Sequence, residues 1–254
     1  MARRVYLSPS ALSTFRDCPR CFWLEKRLKL KRPRGLFPSL PGGFDRVLKT
    51  YYDGYRQTST LPPELVGQVA GVLFPHLEDL KRWRDWKQTP LGYEDRSVNA
   101  SLSGALDECV VEDGQYAPLD FKTHGDVWAE RPDHYYRDQL GCYSLMLYGR
   151  GYPVRPYAWI ACYYPQEVAT TTPGFVAMPC QVFKVDISLK AAVALVREAA
   201  MCVQHDVMPK AGRQCDYCRF VEERGAVVEP EPVVEFDPSL EPTGSPTPTG
   251  AGRG

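Results

Sequence analysis

The sequence predicts an α/β domain in which a mixed sheet of about four or five strands is flanked by helices. Three observations indicate this class. Two strand-like runs, 104–111 and 115–121, are joined by a turn that contains Asp-Gly, which is a strong hairpin signal. Amphipathic stripes at 44–55 and 134–148 predict helices before and after the hairpin. The apolar run 155–164 predicts a further strand.

The composition supports one globular domain over residues 1–225 and a tail over residues 226–254. With 44% hydrophobic and 12% aromatic residues in a chain of 254, the domain can form a sizeable core. The tail is rich in Pro, Thr, Gly and acidic residues, so we expect it to be disordered. It carries five acids and one base, which leaves the domain with a net charge of +4. A mildly basic domain suits a protein that contacts polyanions.

Nothing in the sequence predicts a membrane or secreted protein. No apolar stretch approaches the roughly 20 residues that span a bilayer, and the N-terminal segment MARRVYLSPS lacks an apolar signal region. We therefore expect a cytoplasmic protein. In that reducing compartment the nine cysteines are expected to bind metal or to be buried, because disulfides are rare there.

The first third of the chain is predicted to be mainly helical. Ser8 can cap a first helix and Pro9 suits its first turn, whereas Pro19 ends the pattern. The run 26–34 holds six basic residues in nine, and it is either a solvated loop or a strip that contacts phosphates. A loop at 37–43 leads into the amphipathic helix.

A second helical stretch is predicted over 61–86, and it ends in basic residues interleaved with Trp83 and Trp86. Such tryptophans are either half-buried anchors or platforms that stack on a single nucleic-acid strand. Residues 93–100 are predicted to form the strand before the hairpin.

The hairpin brings three charged residues together. Asp120 and Lys122 are two positions apart and so share one face of their strand, and Asp107 in the first strand can join them. Two carboxylates and an ammonium group on one patch are costly to bury unless a divalent cation lies between the carboxylates. The alternative is a surface hairpin that carries solvated charges.

The helix after the hairpin, at 134–148, places Gln139 and Tyr143 on one face because they are four residues apart. Further strands are predicted at 155–164 and 174–185, and a helix at 188–204.

Two cysteine pairs predict a metal site. Cys18-x-x-Cys21 and Cys215-x-x-Cys218 can each supply two thiolates to one tetrahedral centre, which holds either zinc or an iron–sulfur cluster. The other five cysteines lie in strand or helix patterns and are expected to be buried, although Cys202 could replace one of the N-terminal pair. Joining the two ends of the domain would stabilise it by lowering the entropy of the unfolded chain.

These motifs resemble the PD-(D/E)xK nuclease superfamily, and more closely its RecB-like branch, which includes the CRISPR-adaptation exonucleases. The resemblance rests on Asp107, on Leu119-Asp120-Phe121-Lys122-Thr123, on Gln139-x-x-x-Tyr143 and on the Cys18-Pro19 element after a serine-rich helix. It implies a restriction-endonuclease-like α/β core, with an N-terminal helical part tied to the C-terminus by the four cysteines.

The resemblance also implies a chemistry, the hydrolysis of DNA phosphodiesters. Asp107, Asp120 and the Phe121 carbonyl would bind Mg²⁺ or Mn²⁺, Lys122 would orient the attacking water or stabilise the transition state, and Gln139 and Tyr143 would position the strand. The branch usually has histidine where this chain has Asp45. Asp45 is therefore either an additional metal ligand or the salt-bridge partner of Lys49.

For the cysteines, the resemblance implies a [4Fe–4S] cluster on Cys18, Cys21, Cys215 and Cys218. The branch usually divides its cysteines one and three, whereas this chain divides them two and two, which keeps structural Zn²⁺ as the alternative.

The implied function is a DNA exonuclease of repair, recombination or defence that acts on single strands or duplex ends, with a helicase or recombination protein as a partner. The alternatives are a restriction-type endonuclease and a non-catalytic nucleic-acid-binding subunit.

Overall fold

The computed structural model describes residues 4–33, 39–166, 174 and 176–226. The chain divides into two compact units, Met1–Cys218 and Arg219–Gly254. Nearly all of the predicted tail at 226–254 lies outside the described residues, so its disorder stays a prediction.

Eight strands in the described part of the chain form two sheets. They are β1 (Val5–Leu7), β2 (Val72–Leu73), β3 (Gly92–Asp95), β4 (Ala100–Ser103), β5 (Glu108–Glu112), β6 (Gln115–Thr123), β7 (Tyr157–Tyr163) and β8 (Cys180–Asp186). The larger sheet has the order β2-β5-β6-β7-β8, and only its β6–β7 pair is parallel. The smaller sheet has the order β1-β4-β3. The predicted mixed sheet is confirmed, whereas the second sheet was not predicted.

The helices are α1 (Pro9–Asp17), α2 (Pro19–Trp23), α3 (Ser39–Gln57), α4 (Leu77–Arg84), α5 (Asp133–Tyr148), α6 (Leu189–Gln204) and α7 (Asp216–Ala226). Ser8 caps α1 by accepting a hydrogen bond from the Ala11 amide at 3.2 Å. A π-helical turn, Leu24–Leu28, follows α2.

Three predicted boundaries are wrong. The helix α3 begins at Ser39, so the described part of the loop predicted at 37–43 is helical. The stretch 61–86 is helical only in α4, because Pro62-Pro63 and two glycines with positive φ, Gly67 (76°) and Gly71 (91°), interrupt it. The strand predicted at 93–100 is two strands, since a 3₁₀ turn at Arg96–Val98 separates β3 from β4.

Alternating side chains along β6 and β7 cover the two faces of the larger sheet. Leu119 and Phe121 pack in a cluster that contains Leu48 and Tyr52 of α3, whereas residues of α5 and α6 pack against the other face with Ile160 and Cys162 of β7. Because Asp120 and Lys122 alternate with Leu119 and Phe121, they lie on the α5 side.

Candidate nuclease and metal sites

A two-residue turn sets the geometry of the candidate site. Glu112 pairs with Gln115, and both residues between them have positive φ, 50° at Asp113 and 74° at Gly114, as a type I′ turn requires. The register pairs Glu108 with Leu119, so the preceding residue, Asp107, lies next to Asp120. Asp107 therefore precedes β5, whereas the sequence predicted it inside the strand.

Asp120 is a buried carboxylate with one cationic partner in the described structure. Its side chain is 1% exposed and forms an ion pair with the Lys122 ammonium group. Burial raises the pKa of Asp120 to about 7; the Lys122 charge opposes this shift, and the neighbouring Asp107 carboxylate adds to it. Two carboxylates in a poorly solvated position favour a bound cation, which would neutralise both.

Helix α5 completes the surroundings of Lys122. The lysine Nζ donates to Gln139 Oε1 at 3.3 Å, and Gln139 Nε2 donates to the Tyr143 hydroxyl at 2.7 Å. The same ammonium lies 4.7 Å from the centre of the Tyr136 ring, where the face of the ring attracts a cation. Gln139 and Tyr143 are thus brought to Lys122, and Tyr136 of the same helix joins them.

Lys49 of α3 connects the other two acids. Its Nζ lies 2.7 Å from Asp45 Oδ2 and 2.8 Å from Asp107 Oδ1. Of the two interpretations of Asp45, the structure contains the salt bridge to Lys49. A role for Asp45 as a metal ligand stays a prediction.

Phe121 contributes its side chain to the core and not to the site. Its ring packs edge-on against Tyr52, with ring centres 4.6 Å apart. Its backbone lies between Asp120 and Lys122 in β6, and the proposed use of its carbonyl as a ligand stays a prediction.

Sequence reasoning missed a buried charge network behind Asp107. Glu108 is fully buried and forms ion pairs with Arg56 and Arg84. Arg84 also pairs with Asp53 at 2.9 Å and donates from Nε to the Asp107 carbonyl at 2.7 Å. Burial raises the pKa of Glu108, and the two guanidinium groups oppose that shift. The network fixes the backbone that carries Asp107.

The four cysteines form a second candidate site, the four-cysteine site. All four side chains are buried, and their sulfurs lie within 4.8 Å of one another. The measured Sγ–Sγ distances are 3.7 Å for Cys18–Cys218 and 3.6 Å for both Cys21–Cys215 and Cys21–Cys218. The prediction that the two pairs converge is confirmed.

Surrounding groups favour thiolate over thiol at part of this site. Burial opposes ionisation of Cys18, but the amides of Gly212 and Cys21 donate to its sulfur and lower its pKa to about 6. Arg32 lies 3.4 Å from Cys215 Sγ and supplies a positive charge. Amide and guanidinium donors of this kind stabilise metal-bound thiolates.

The sulfur separations can be compared with the spacing that each of the two predicted occupants requires. Four thiolates at about 2.3 Å from one tetrahedral ion are separated by about 3.8 Å, close to the measured 3.6 and 3.7 Å. In a [4Fe–4S] cluster each thiolate binds a different iron atom, so the sulfurs lie much farther apart. These three separations match the spacing around a single tetrahedral ion, and the four buried sulfurs form a possible site for a metal ion or an iron–sulfur cluster.

Two remaining predictions concern Cys202 and the basic run 26–34. Cys202 is half-buried in α6 and does not belong to the four-cysteine group. In the basic run 26–34, two arginines have structural partners, since Arg27 donates to the His205 carbonyl at 2.9 Å and Arg32 pairs with Asp17 at 2.5 Å. These two arginines are therefore not a free phosphate strip.

Comparison with known proteins gives one family match. The family model described as the PD-(D/E)XK nuclease superfamily matches residues 6–222. No curated protein matches the chain. Among the described helices, none combines the length and apolar character needed to cross a membrane.

Proposed function

Because the chain belongs to the PD-(D/E)XK nuclease superfamily, we propose that it is a metal-dependent deoxyribonuclease that trims DNA ends as an exonuclease. Repair, recombination or defence would supply such ends, with a helicase or recombination protein as a partner. The observation that carries the proposal is the buried Asp120 carboxylate, next to Asp107 and ion-paired with Lys122. The hydrogen bond between Gln139 and Tyr143 beside Lys122 supports a role for these two side chains in positioning the substrate strand.

The donor set suits a hard divalent cation. Asp107, Asp120 and the Phe121 carbonyl would hold Mg²⁺ or Mn²⁺, which prefer oxygen ligands. When bound, such an ion lowers the pKa of a coordinated water and stabilises negative charge on the phosphate.

The protein's own groups position the reactants. Lys122 is held by Asp120 and by Gln139, so its ammonium group has a fixed place from which to orient the attacking water or stabilise the transition state. Tyr143 accepts a hydrogen bond from Gln139 and so fixes the amide that contacts the lysine. Lys49 pairs with both Asp45 and Asp107 and offsets part of their negative charge.

For the four-cysteine site we propose one structural Zn²⁺ ion in place of the [4Fe–4S] cluster that the family resemblance implies. The sulfur separations of 3.6 and 3.7 Å support this choice. Metal analysis of protein purified without oxygen should give one zinc per chain and no broad visible absorbance. Four irons per chain with a brown colour would contradict it.

A second candidate function is a nucleic-acid-binding subunit without catalysis. Lys49 favours this alternative, because its ammonium group already pairs with Asp45 and Asp107 and offsets part of their negative charge, which reduces the need for a metal ion there.

A nuclease assay on labelled linear and closed circular DNA tests the proposal. With Mg²⁺ or Mn²⁺ we expect linear DNA to be degraded from its ends, and Lys122→Ala to reduce the rate about 100- to 1,000-fold, as for the loss of one transition-state donor. Lys190→Ala, an exposed lysine on α6, is the matched control. Equal activity of Lys122→Ala and wild type would refute the assignment, and an inactive wild type would favour the binding subunit.

A further inference from the structure

A cleft of about 780 Å³ opens beside the candidate nuclease site. Tyr136, Gln139 and Tyr143 of α5 belong to both, because they line the cleft and also surround Lys122. A ligand in the cleft therefore lies next to the proposed catalytic lysine. The volume is within the range of about 300–1,000 Å³ that is typical of ligand sites.

Three large aromatic side chains in this cleft are exposed. The exposed fractions are 69% for Tyr6, 73% for Trp86 and 66% for Tyr135. The sequence left the same two interpretations open for both tryptophans, but the structure separates them, since Trp83 is 1% exposed and stacks on Phe74 in the core. Exposed aromatic rings gathered around one concave site indicate a binding surface.

The charged side chains around the three exposed aromatic rings favour an anionic ligand. Arg16 and Lys26 line the cleft, and the Lys87 ammonium lies 5.5 Å from the centre of the Trp86 ring. Asp138 is the acidic group in the cleft lining, and Arg16 pairs with it at 2.8 Å and with Glu198 at 3.7 Å. The positive charge near the rings therefore comes from Lys26 and Lys87. Polar hydroxyl groups of Ser8, Ser10, Ser13 and Ser103 line the same cleft.

We propose that this cleft binds single-stranded DNA, with bases stacked on Trp86 and Tyr135 and the backbone near the basic side chains. The inference extends the proposed nuclease function by naming its substrate class. Aromatic stacking combined with positive charge is the usual way in which proteins hold single strands. Bases inside a duplex already stack on each other, so a duplex leaves base faces free for Trp86 and Tyr135 only at its two ends.

Fluorescence anisotropy with a labelled 12-nucleotide oligothymidine tests the proposal, in buffer without added Mg²⁺ or Mn²⁺. We expect Trp86→Ala and Tyr135→Ala each to weaken binding about 5- to 150-fold, as for the loss of one stacked base. The matched control is Tyr148→Ala, because Tyr148 is 56% exposed at the opposite end of α5 and lies outside the cleft lining. Trp86→Phe retains a ring and should restore most of the affinity.

The outcomes separate this proposal from the nuclease proposal. Wild-type affinity in both alanine variants, or equal weakening by Tyr148→Ala, would overturn the single-strand cleft even if the protein cleaves DNA. A duplex of the same length that binds as tightly as the single strand, with the same sensitivity to Trp86→Ala, would also overturn it. Ring-dependent binding by a protein that never cleaves DNA would support the cleft and refute the nuclease proposal.

Discussion

Opening the four-cysteine site should cost a large share of the stability of the domain. Cys21 and Cys215 are 194 residues apart in the chain, so a metal ion that joins them closes a very long loop. The chain-entropy relation for a cross-link of that length gives about 5 kcal/mol, which is comparable to the whole free energy of unfolding of many domains. We therefore expect the double variant Cys215→Ser/Cys218→Ser to lose up to about 5 kcal/mol.

The measurement is urea unfolding followed by circular dichroism, with the zinc content determined on the same samples. Cys202→Ser is the matched control, because it makes the same chemical change at a half-buried cysteine outside the site. The double variant should lose both metal and stability, whereas the control should keep both. A double variant that loses its metal and unfolds at the wild-type urea concentration would refute the reasoning.

Three further predictions concern single residues. Glu108→Gln leaves Arg56 and Arg84 without their buried carboxylate, so urea unfolding should show a loss of about 3–5 kcal/mol. Gly212→Ala would place a Cβ atom 2.1 Å from the Asp17 carbonyl oxygen, so it should lower stability by about 2 kcal/mol or more and weaken metal retention. The pKa of Asp120 is raised from 3.8 to about 7, so its stabilising contribution is complete below about pH 4 and is lost as the pH rises through about 7. Between pH 5 and pH 8 the wild type should therefore lose about 3 kcal/mol relative to Asp120→Asn in pH-dependent urea unfolding without added metal.

Each of these three predictions has an outcome that would contradict it. Unchanged stability of Glu108→Gln would mean that the two arginines find other partners. Gly125→Ala is the control for Gly212→Ala, since an added Cβ there meets no atom within 4 Å, and equal effects would exclude the close approach as the cause. A constant difference between Asp120→Asn and wild type from pH 5 to pH 8 would mean that the carboxyl group does not titrate in this range.

Local sequence signals predicted the parts of the site that depend on short-range geometry. The Asp113-Gly114 turn fixes the hairpin, and a two-residue loop leaves one register. That register determines which residue lies next to Asp120. The four-residue spacing of Gln139 and Tyr143 on a helix likewise predicts their contact, which the structure contains at 2.7 Å.

Long-range contacts could not be predicted in this way. Arg56 and Glu108 are 52 residues apart in the chain, and no local pattern pairs them. The exposure of Trp86 and the burial of Trp83 depend on how α4 packs against Phe74, which the spacing of two aromatic residues does not determine. The helical part of the predicted loop at 37–43 shows the same limit, because glycines predict a loop that α3 overrides.

The central claim is that Asp107 and Asp120 hold a divalent cation beside Lys122. Binding of Mn²⁺ followed by electron paramagnetic resonance tests it without any need for catalysis. We predict a saturable Mn²⁺ site in the wild type that is retained in Asp138→Asn and lost in Asp107→Asn and Asp120→Asn, because the buried Asp120 carboxylate and the partly exposed Asp107 carboxylate supply most of the binding energy. Equal Mn²⁺ binding by the wild type and Asp120→Asn would contradict the account.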